Sequence, residues 1–232
     1  MYIEMSFVFD KSNTFCINLS TSTVRRETMI KRFNEIELDC TFWDASTPST
    51  LVDNFVNNLS GSQCACAQSH MLIWRHVIEH NLPYVFILED DAIFHKKWKE
   101  RLDEINPLLK QDEEWHGVFL NMSEPLKSLY SWEVVYEQYL TGGYILSNRG
   151  ARILLQMYNP ELHGADWMTR CLQTRNHCYG FYPWLIIQEG RESTISDYVD
   201  HDHAKVVRCL KENDVSIVDN YLIPPSDHSF YV

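Results

Sequence analysis

Apolar and polar positions follow two periods along this chain. Phe15-Cys16-Ile17-Asn18-Leu19 is a short apolar run that predicts a buried strand, and Ser20-Thr21-Ser22-Thr23 after it offers N-cap residues. Met29, Ile30 and Phe33 recur at helical spacing between Arg25 and Phe33. Leu38 to Trp43 predicts a second strand, and Thr47 to Ser62 a polar loop with room for a short helix. Gln63 to His80 predicts a long helix with an apolar stripe through Ile73, Trp74, Val77 and Ile78, ended by Asn81-Leu82-Pro83. Tyr84-Val85-Phe86-Ile87-Leu88 is continuously apolar, as a strand covered on both faces should be. A helix is predicted over Trp98 to Leu109, a buried strand over Gly117 to Asn121, a strand at Tyr144-Ile145-Leu146 and a helix over Asn148 to Met157. An aromatic segment, Tyr179 to Trp184, and a strand-like Leu185-Ile186-Ile187 follow. The alternation of strand and helix predicts an α/β fold with a mostly parallel central sheet flanked by helices.

The chain has 232 residues, 45% of them hydrophobic, which suits one α/β domain with a substantial core. There is no repeat, low-complexity tract or evident interdomain linker. The net charge of −12 argues against nucleic acid as a partner, because phosphate attraction needs Lys and Arg. Lys96, Lys97, Lys99 and Arg101 form the one dense basic cluster and read as a solvated helix face. Seven cysteines, odd in number and irregular in spacing, read as reduced thiols of a cytosolic protein. Cys64-Ala65-Cys66 lacks the spacer of a zinc knuckle and reads as small buried helix residues. The N-terminus shows no basic region followed by a long apolar run, and no run approaches the ~20 residues that span a bilayer, so any membrane role is expected to be peripheral.

Glu89-Asp90-Asp91 changes the picture. Three carboxylates directly after a buried strand repel one another beside a low-dielectric core, and a cation at the strand's carboxyl end would resolve that repulsion. Alternation along an extended segment places Glu89 and Asp91 on one side and Asp90 on the other. Two carboxylates on one side suit Mg²⁺ or Mn²⁺, which favour oxygen ligands and keep waters and substrate phosphates in their shell. The chemistry that needs such a site is departure of a nucleoside diphosphate. An acidic strand-end loop, or a helix start where carboxylates suit the dipole, is the alternative.

Several blocks resemble glycosyltransferase family 25, the bacterial lipooligosaccharide galactosyltransferase type, in order from about Phe15 to Ile195. They are Ile17-Asn18-Leu19 with Arg25-Arg26, Trp43-Asp44-Ala45, Cys66-Ala67-Gln68-Ser69-His70 with Trp74, and Leu82-Pro83-Tyr84 through Leu88-Glu89-Asp90-Asp91-Ala92. Gly143-Tyr144-Ile145-Leu146-Ser147 with Gly150-Ala151, Asp166-Trp167-Met168, and Pro183, Gln188, Ser193, Thr194 and Ile195 complete the set. Ala65 departs from the family, which has Gly there, and the chain lacks the basic amphipathic tail of many bacterial members. The resemblance implies a GT-A-like nucleotide-sugar fold and a UDP-sugar donor, most often UDP-galactose. It also implies inverting hexose transfer to a saccharide or glycolipid acceptor of a cell-surface glycan. The expected organisation is a single domain over 1–232: about 15–120 for the donor, about 121–200 for acceptor and catalysis, and 201–232 as a C-terminal segment. The expected location is the cytoplasm, at most touching the inner face of the cell membrane.

Within that reading, Glu89 and Asp91 are the metal and diphosphate ligands, and Asp90 faces ribose or sugar. The two alternation phases could be exchanged. Asn18 and Arg26 are nucleotide candidates, with a surface helix arginine as the alternative for Arg26. Tyr144, Gln188 and Ser193 are candidates to line the donor or acceptor pocket. Inversion needs a general base on the acceptor hydroxyl, and Asp166 is the choice; Trp167 beside it offers an aromatic face for a sugar ring. A helix N-cap is the alternative for Asp166. His70 reads as a satisfied core histidine, and Asp200-His201-Asp202-His203 as a solvated loop that could lend a metal ligand.

Two rival readings stand beside this one. His76-Val77-Ile78-Glu79-His80 reads H-x-x-E-H, an inverted zincin pattern, but the apolar stripe of its helix points these residues away from the core. A non-catalytic sugar-nucleotide or glycan-binding protein of the same fold would keep the pocket and show no turnover.

Overall fold

The structure, a computed structural model, describes residues 6–52, 59–157, 164–190 and 201–231, with side chains from 204 onward in the last stretch. The chain opens β1 (Thr14–Asn18), α1 (Thr23–Glu35), β2 (Thr41–Asp44), α2 (Gly61–Glu79), β3 (Tyr84–Glu89) and β4 (Ala92–Phe94). It continues α3 (Trp98–Asp103), α4 (Asn106–Gln111), β5 (Gly117–Phe119), β6 (Ser131–Val134), β7 (Gly143–Ser147) and α5 (Asn148–Met157). It closes α6 (Ala165–Gln173), β8 (Cys178–Tyr182), β9 (Ile186–Gln188), α7 (His201–Glu212), α8 (Ile217–Asn220) and α9 (His228–Tyr231).

A seven-stranded sheet runs in the order β2-β1-β3-β7-β5-β8-β6, and β4 pairs with β9 in a separate two-stranded sheet. β1 is parallel to β2 and β3, and β5 is parallel to β8. β7 lies antiparallel between β3 and β5, and β6 is antiparallel to β8. The expectation of an α/β fold with a mostly parallel sheet therefore holds for strand direction, while the sheet itself is mixed. Two strands run against the rest, β6 at one margin and β7 at the centre; β7 is the predicted Tyr144-Ile145-Leu146, and an apolar run carries no sign of its direction.

Strict alternation in the central strands separates two cores. Phe15, Ile17, Val85, Ile87, Tyr144 and Leu146 pack with α2, α5 and α6 residues such as Trp74, Ala151 and Leu172 on one face. Cys16, Phe86, Leu88 and Ile145 pack with Met29, Phe33, Trp98 and Leu109 of α1, α3 and α4 on the other. α2 starts two residues earlier than predicted, at a capping box in which Ser60 Oγ accepts from Gln63 N–H at 3.2 Å and Gln63 Oε1 accepts from Ser60 N–H at 2.8 Å. The helix predicted over Trp98 to Leu109 is two short ones, broken at Glu104–Ile105. Lys96, Lys97 and Lys99 are exposed, but Lys96 and Lys97 precede α3 and Arg101 is half-buried, so the basic cluster is a helix face only in part. Among the described residues no helix is long and apolar enough to cross a membrane.

Candidate active site

The carboxyl ends of β1 and β3 and the entrance to β7 meet at one edge of the sheet. Register sets this: Ile17 stands opposite Glu89, Asn18 opposite Asp44, and Leu88 opposite Gly143. Ligands collect at such strand ends in open α/β sheets. Glu89 ends β3, and Asp90 and Asp91 form the turn into β4.

The three carboxylates have different partners. Glu89 Oε1 accepts from Thr141 Oγ1 at 2.6 Å and lies 3.3 Å from His70 Nε2, and Glu89 Oε2 accepts from Gln188 Nε2 at 3.1 Å. Burial pushes its carboxyl up, but hydrogen bonds from His70 and Thr141, with the Arg25 charge, bring it below the usual glutamate range. Asp90 accepts from Asn18 Nδ2 at 2.7 Å and pairs with Arg25 at 2.8 Å. The hydrogen bond that Asp91 receives, from Gln188 Nε2, is long at 3.5 Å. Burial, then the Glu89 charge, pushes the Asp91 carboxyl up to about 7. Glu89 and Asp91 thus share one amide donor, and Asp90 points to a separate arginine and asparagine.

Gln188 reaches both acids because β9 pairs with β4 in a register that sets Gln188 opposite Ala92, next to Asp91. Gly142 leaves the space: a Cβ there would stand 2.7 Å from Gln188 Cγ and 2.8 Å from Asn121 Oδ1. Buried Asn121 fixes the same turn, its Oδ1 accepting from Gly142 N–H at 3.2 Å.

Behind Glu89 lies a buried relay. Trp74 Nε1–H donates to Tyr144 Oη at 2.9 Å, and Tyr144 Oη lies 2.9 Å from His70 Nδ1. Indole can only donate, so in a neutral relay the tyrosine proton goes to His70 Nδ1, which leaves Nε2–H for Glu89. Burial drives the Tyr144 phenol far above its ordinary value, so it stays protonated.

The structure brings most of the expected residues to this edge and moves two. Asn18, Asp90, Glu89, Asp91 and Gln188 meet there. Arg26 does not: it lies exposed over the Phe42 ring at 4.3 Å, and its neighbour Arg25 takes the inward place on α1. Tyr144 is fully buried and reaches the site through His70, so it positions other groups instead of lining a pocket. His70 is buried, as expected of a core histidine, and also contacts the acidic edge. Ser193 lies outside the described residues, as do Asp200 and the side chains of His201, Asp202 and His203. Of the H-x-x-E-H trio, Glu79 and His80 are exposed and His76 packs edge-on against Phe15 and Trp43.

Asp166 sits in the first turn of α6, whose N-cap is Gly164, so the aspartate is free of the capping role. Burial, opposed by the Trp167 N–H it accepts, raises its carboxyl, and the Glu89 charge adds to the rise. Beside it Tyr139 and Trp167 lie with ring centroids 6.3 Å apart, and the Arg170 guanidinium covers both at 5.2 and 4.9 Å. Arg25, Thr141 and Asn121 escaped the sequence reading. Arg25 was legible as half of a double arginine; Thr141 and Asn121 carry no local signal.

The family model described as Glycosyltransferase family 25 (LPS biosynthesis protein) matches residues 11–133. The chain is 26% identical over 203 residues to "Lipooligosaccharide biosynthesis protein lic2B" of Haemophilus influenzae, covering 76% of each chain. It is 28% identical over 178 residues to "Procollagen galactosyltransferase 1-A" of Xenopus laevis, over 66% of this chain and 28% of that protein's length. It is 24% identical over 186 residues to "Lacto-N-neotetraose biosynthesis glycosyltransferase LgtE" of Neisseria meningitidis serogroup B, over 66% of this chain and 64% of the other.

Proposed function

We infer the reaction from the premise that the chain belongs to glycosyltransferase family 25 and is a glycosyltransferase acting on a sugar donor and a saccharide acceptor. In our reading it moves a hexose, galactose, from a UDP-sugar to a cell-surface glycan such as lipooligosaccharide, with inversion, on a GT-A-like fold. Galactose rests on the name of the procollagen relative, and the acceptor class on the names of the bacterial ones. The observation that carries the reading is Asp91: a half-buried carboxylate beside the Glu89 charge, with one long hydrogen bond and no ion pair among the described residues.

Glu89 and Asp91 fit a hard divalent cation, Mn²⁺ or Mg²⁺, because both offer oxygen donors and the cation would relieve their repulsion. Such an ion, when bound, neutralises charge on the departing diphosphate. Asp90, held by Asn18 and Arg25, faces the ribose or sugar hydroxyls. Asn18 Oδ1 is a buried acceptor without a hydrogen-bond partner among the described residues, suited to accept from a ribose hydroxyl or a base N–H. Asp166 accepts the proton of the acceptor hydroxyl. A bond forms between that oxygen and the anomeric carbon as the bond to the phosphate oxygen breaks on the opposite face, giving inversion and UDP. The raised carboxyl of Asp166 makes it a stronger proton acceptor than an ordinary aspartate. Tyr139 and Trp167, stiffened by Arg170, present aromatic faces to the acceptor ring.

The test is UDP release from a panel of UDP-sugars with Mn²⁺, with and without glycan acceptors. UDP-galactose with a saccharide acceptor is expected to give the fastest release, and Asp91→Ala to abolish metal-dependent UDP binding. UDP binding that survives Asp91→Ala unchanged sinks the site. Donor binding without turnover on any acceptor favours a non-catalytic binding protein.

A further inference from the structure

We propose that Cys66, His70 and Glu89 form a second metal site, for a soft zinc-class ion, that competes with the oxygen-liganded ion for Glu89. Among the described residues these three make the group whose ligand atoms, one from each, lie within 4.8 Å of one another. Cys66 and His70 are four residues apart on α2, so both side chains project over the same strand end. Cys64, two residues earlier, is buried in the core instead. His70 Nε2 already lies 3.3 Å from Glu89 Oε1. Zinc bonds of about 2.0–2.3 Å in a tetrahedron set ligand atoms roughly 3.3–3.8 Å apart, so each side chain closes by about 1 Å or less. Three protein ligands leave the fourth position to water.

The donor set chooses the metal. One thiolate and one imidazole select zinc over Mg²⁺ and Mn²⁺, which prefer the carboxylate pair Glu89 and Asp91. The surroundings already orient these ligands: Thr141 donates to Glu89, and Tyr144, pinned by Trp74, faces His70 Nδ1. Binding releases the Cys66 thiol proton to solvent. The His70 proton passes from Nε2 to Nδ1 by exchange, and Tyr144 turns from donor to acceptor. Because Glu89 serves both ions, zinc and the transferase metal exclude each other, which makes zinc an inhibitor. That regulatory half rests on the transferase reading above; the binding half does not.

The probe is Co²⁺ alone on the purified full chain, followed by thiolate-to-cobalt charge-transfer absorption in the near ultraviolet. The band is expected to saturate at one equivalent, to be displaced by Zn²⁺, to vanish in Cys66→Ser and to persist in the control Cys171→Ser. Zinc affinity in Cys66→Ser is expected to fall by at least about tenfold. In the unmodified chain, Zn²⁺ but not Mg²⁺ is expected to slow alkylation of Cys66, read by mass spectrometry. That measurement stands if a variant fails to fold. A band that survives Cys66→Ser, no band at all, or alkylation indifferent to zinc overturns the proposal. If the transferase reading holds, added Zn²⁺ also suppresses Mn²⁺-supported UDP release and extra Mn²⁺ restores it. An enzyme without turnover leaves the cobalt band and the alkylation result as they are.

Discussion

Asp91 and Asp112 occupy opposite ends of one sheet, and the fold treats them in opposite ways. Asp112 lies between α4 and β5, where the parallel strands begin. Its oxygens accept from His177 Nδ1 at 2.9 Å, Tyr179 Oη at 2.9 Å and Glu114 N–H at 3.1 Å. Partial burial works against ionisation there, but the His177 and Tyr179 hydrogen bonds hold the carboxyl below the usual aspartate range. Asp91, where the strands end, has one long hydrogen bond and a like charge beside it, and its carboxyl rises to about 7. A carboxylate saturated by protein donors is a structural part. One left short of donors beside a like charge is a place kept for something that arrives later.

The contrast can be tested most strongly through Asp91→Asn. We expect transfer to fall by more than about a thousandfold while thermal stability holds or rises, since the change removes a repulsion that the metal-free fold must bear. A melt lowered by several degrees would mean that the protein, not a ligand, satisfies Asp91. Next, Asp166→Asn should lower turnover by about a hundred- to a thousandfold and leave UDP affinity unchanged in calorimetry, as loss of a general base predicts. Trp167→Ala should raise the acceptor KM by about tenfold and leave donor hydrolysis alone, because stacking is worth about 0.5–1.5 kcal/mol. Smallest for activity is Asp112→Asn, which should leave turnover unchanged but cost about 1–2 kcal/mol, or about 3–6 °C in Tm. The sign with pH follows from the lowered carboxyl. Its stabilising share is present above the unfolded value of about 3.9 and is lost as pH falls through the lower folded value. Melts of the two proteins should therefore converge in acid and diverge toward neutrality.

What the sequence revealed and what it concealed divide along physical lines. β3 and its acidic end were legible because a run buried on both faces must be continuously apolar, so three acids directly after it stand out. α2 was legible from its stripe and its stop at Pro83. β4 and β6 were not: Ala92-Ile93-Phe94 follows the acids in one tight turn, and Ser131-Trp132-Glu133-Val134 carries only two apolar residues between polar neighbours. Arg25 and Arg26 are adjacent on α1 and about 100° apart around its axis, so the choice between them turns on helical phase, and the phase went to Arg25. Thr141 and Gln188 meet Glu89 from 52 and 99 residues away, a closure that topology and register make and no local pattern announces.

The reversed course of β7 has a consequence for how such a protein can diversify. Its neighbours leave the sheet at the ligand edge, whereas β7 enters there, so the stretch that serves the edge is residues 135–142 ahead of it. That stretch carries Tyr139 and Thr141 and is tied to α6 by paired amides, Gln138 N–H to Gln173 Oε1 at 2.7 Å and Gln173 Nε2 to Gln138 O at 3.0 Å. The turns after β1 and β3 belong to other parts of the chain. Substitution or lengthening in 135–140, ahead of the Thr141 and Gly142 that hold Glu89 and make room for Gln188, would therefore reshape one side of the edge while the turns after β1 and β3 are inherited intact.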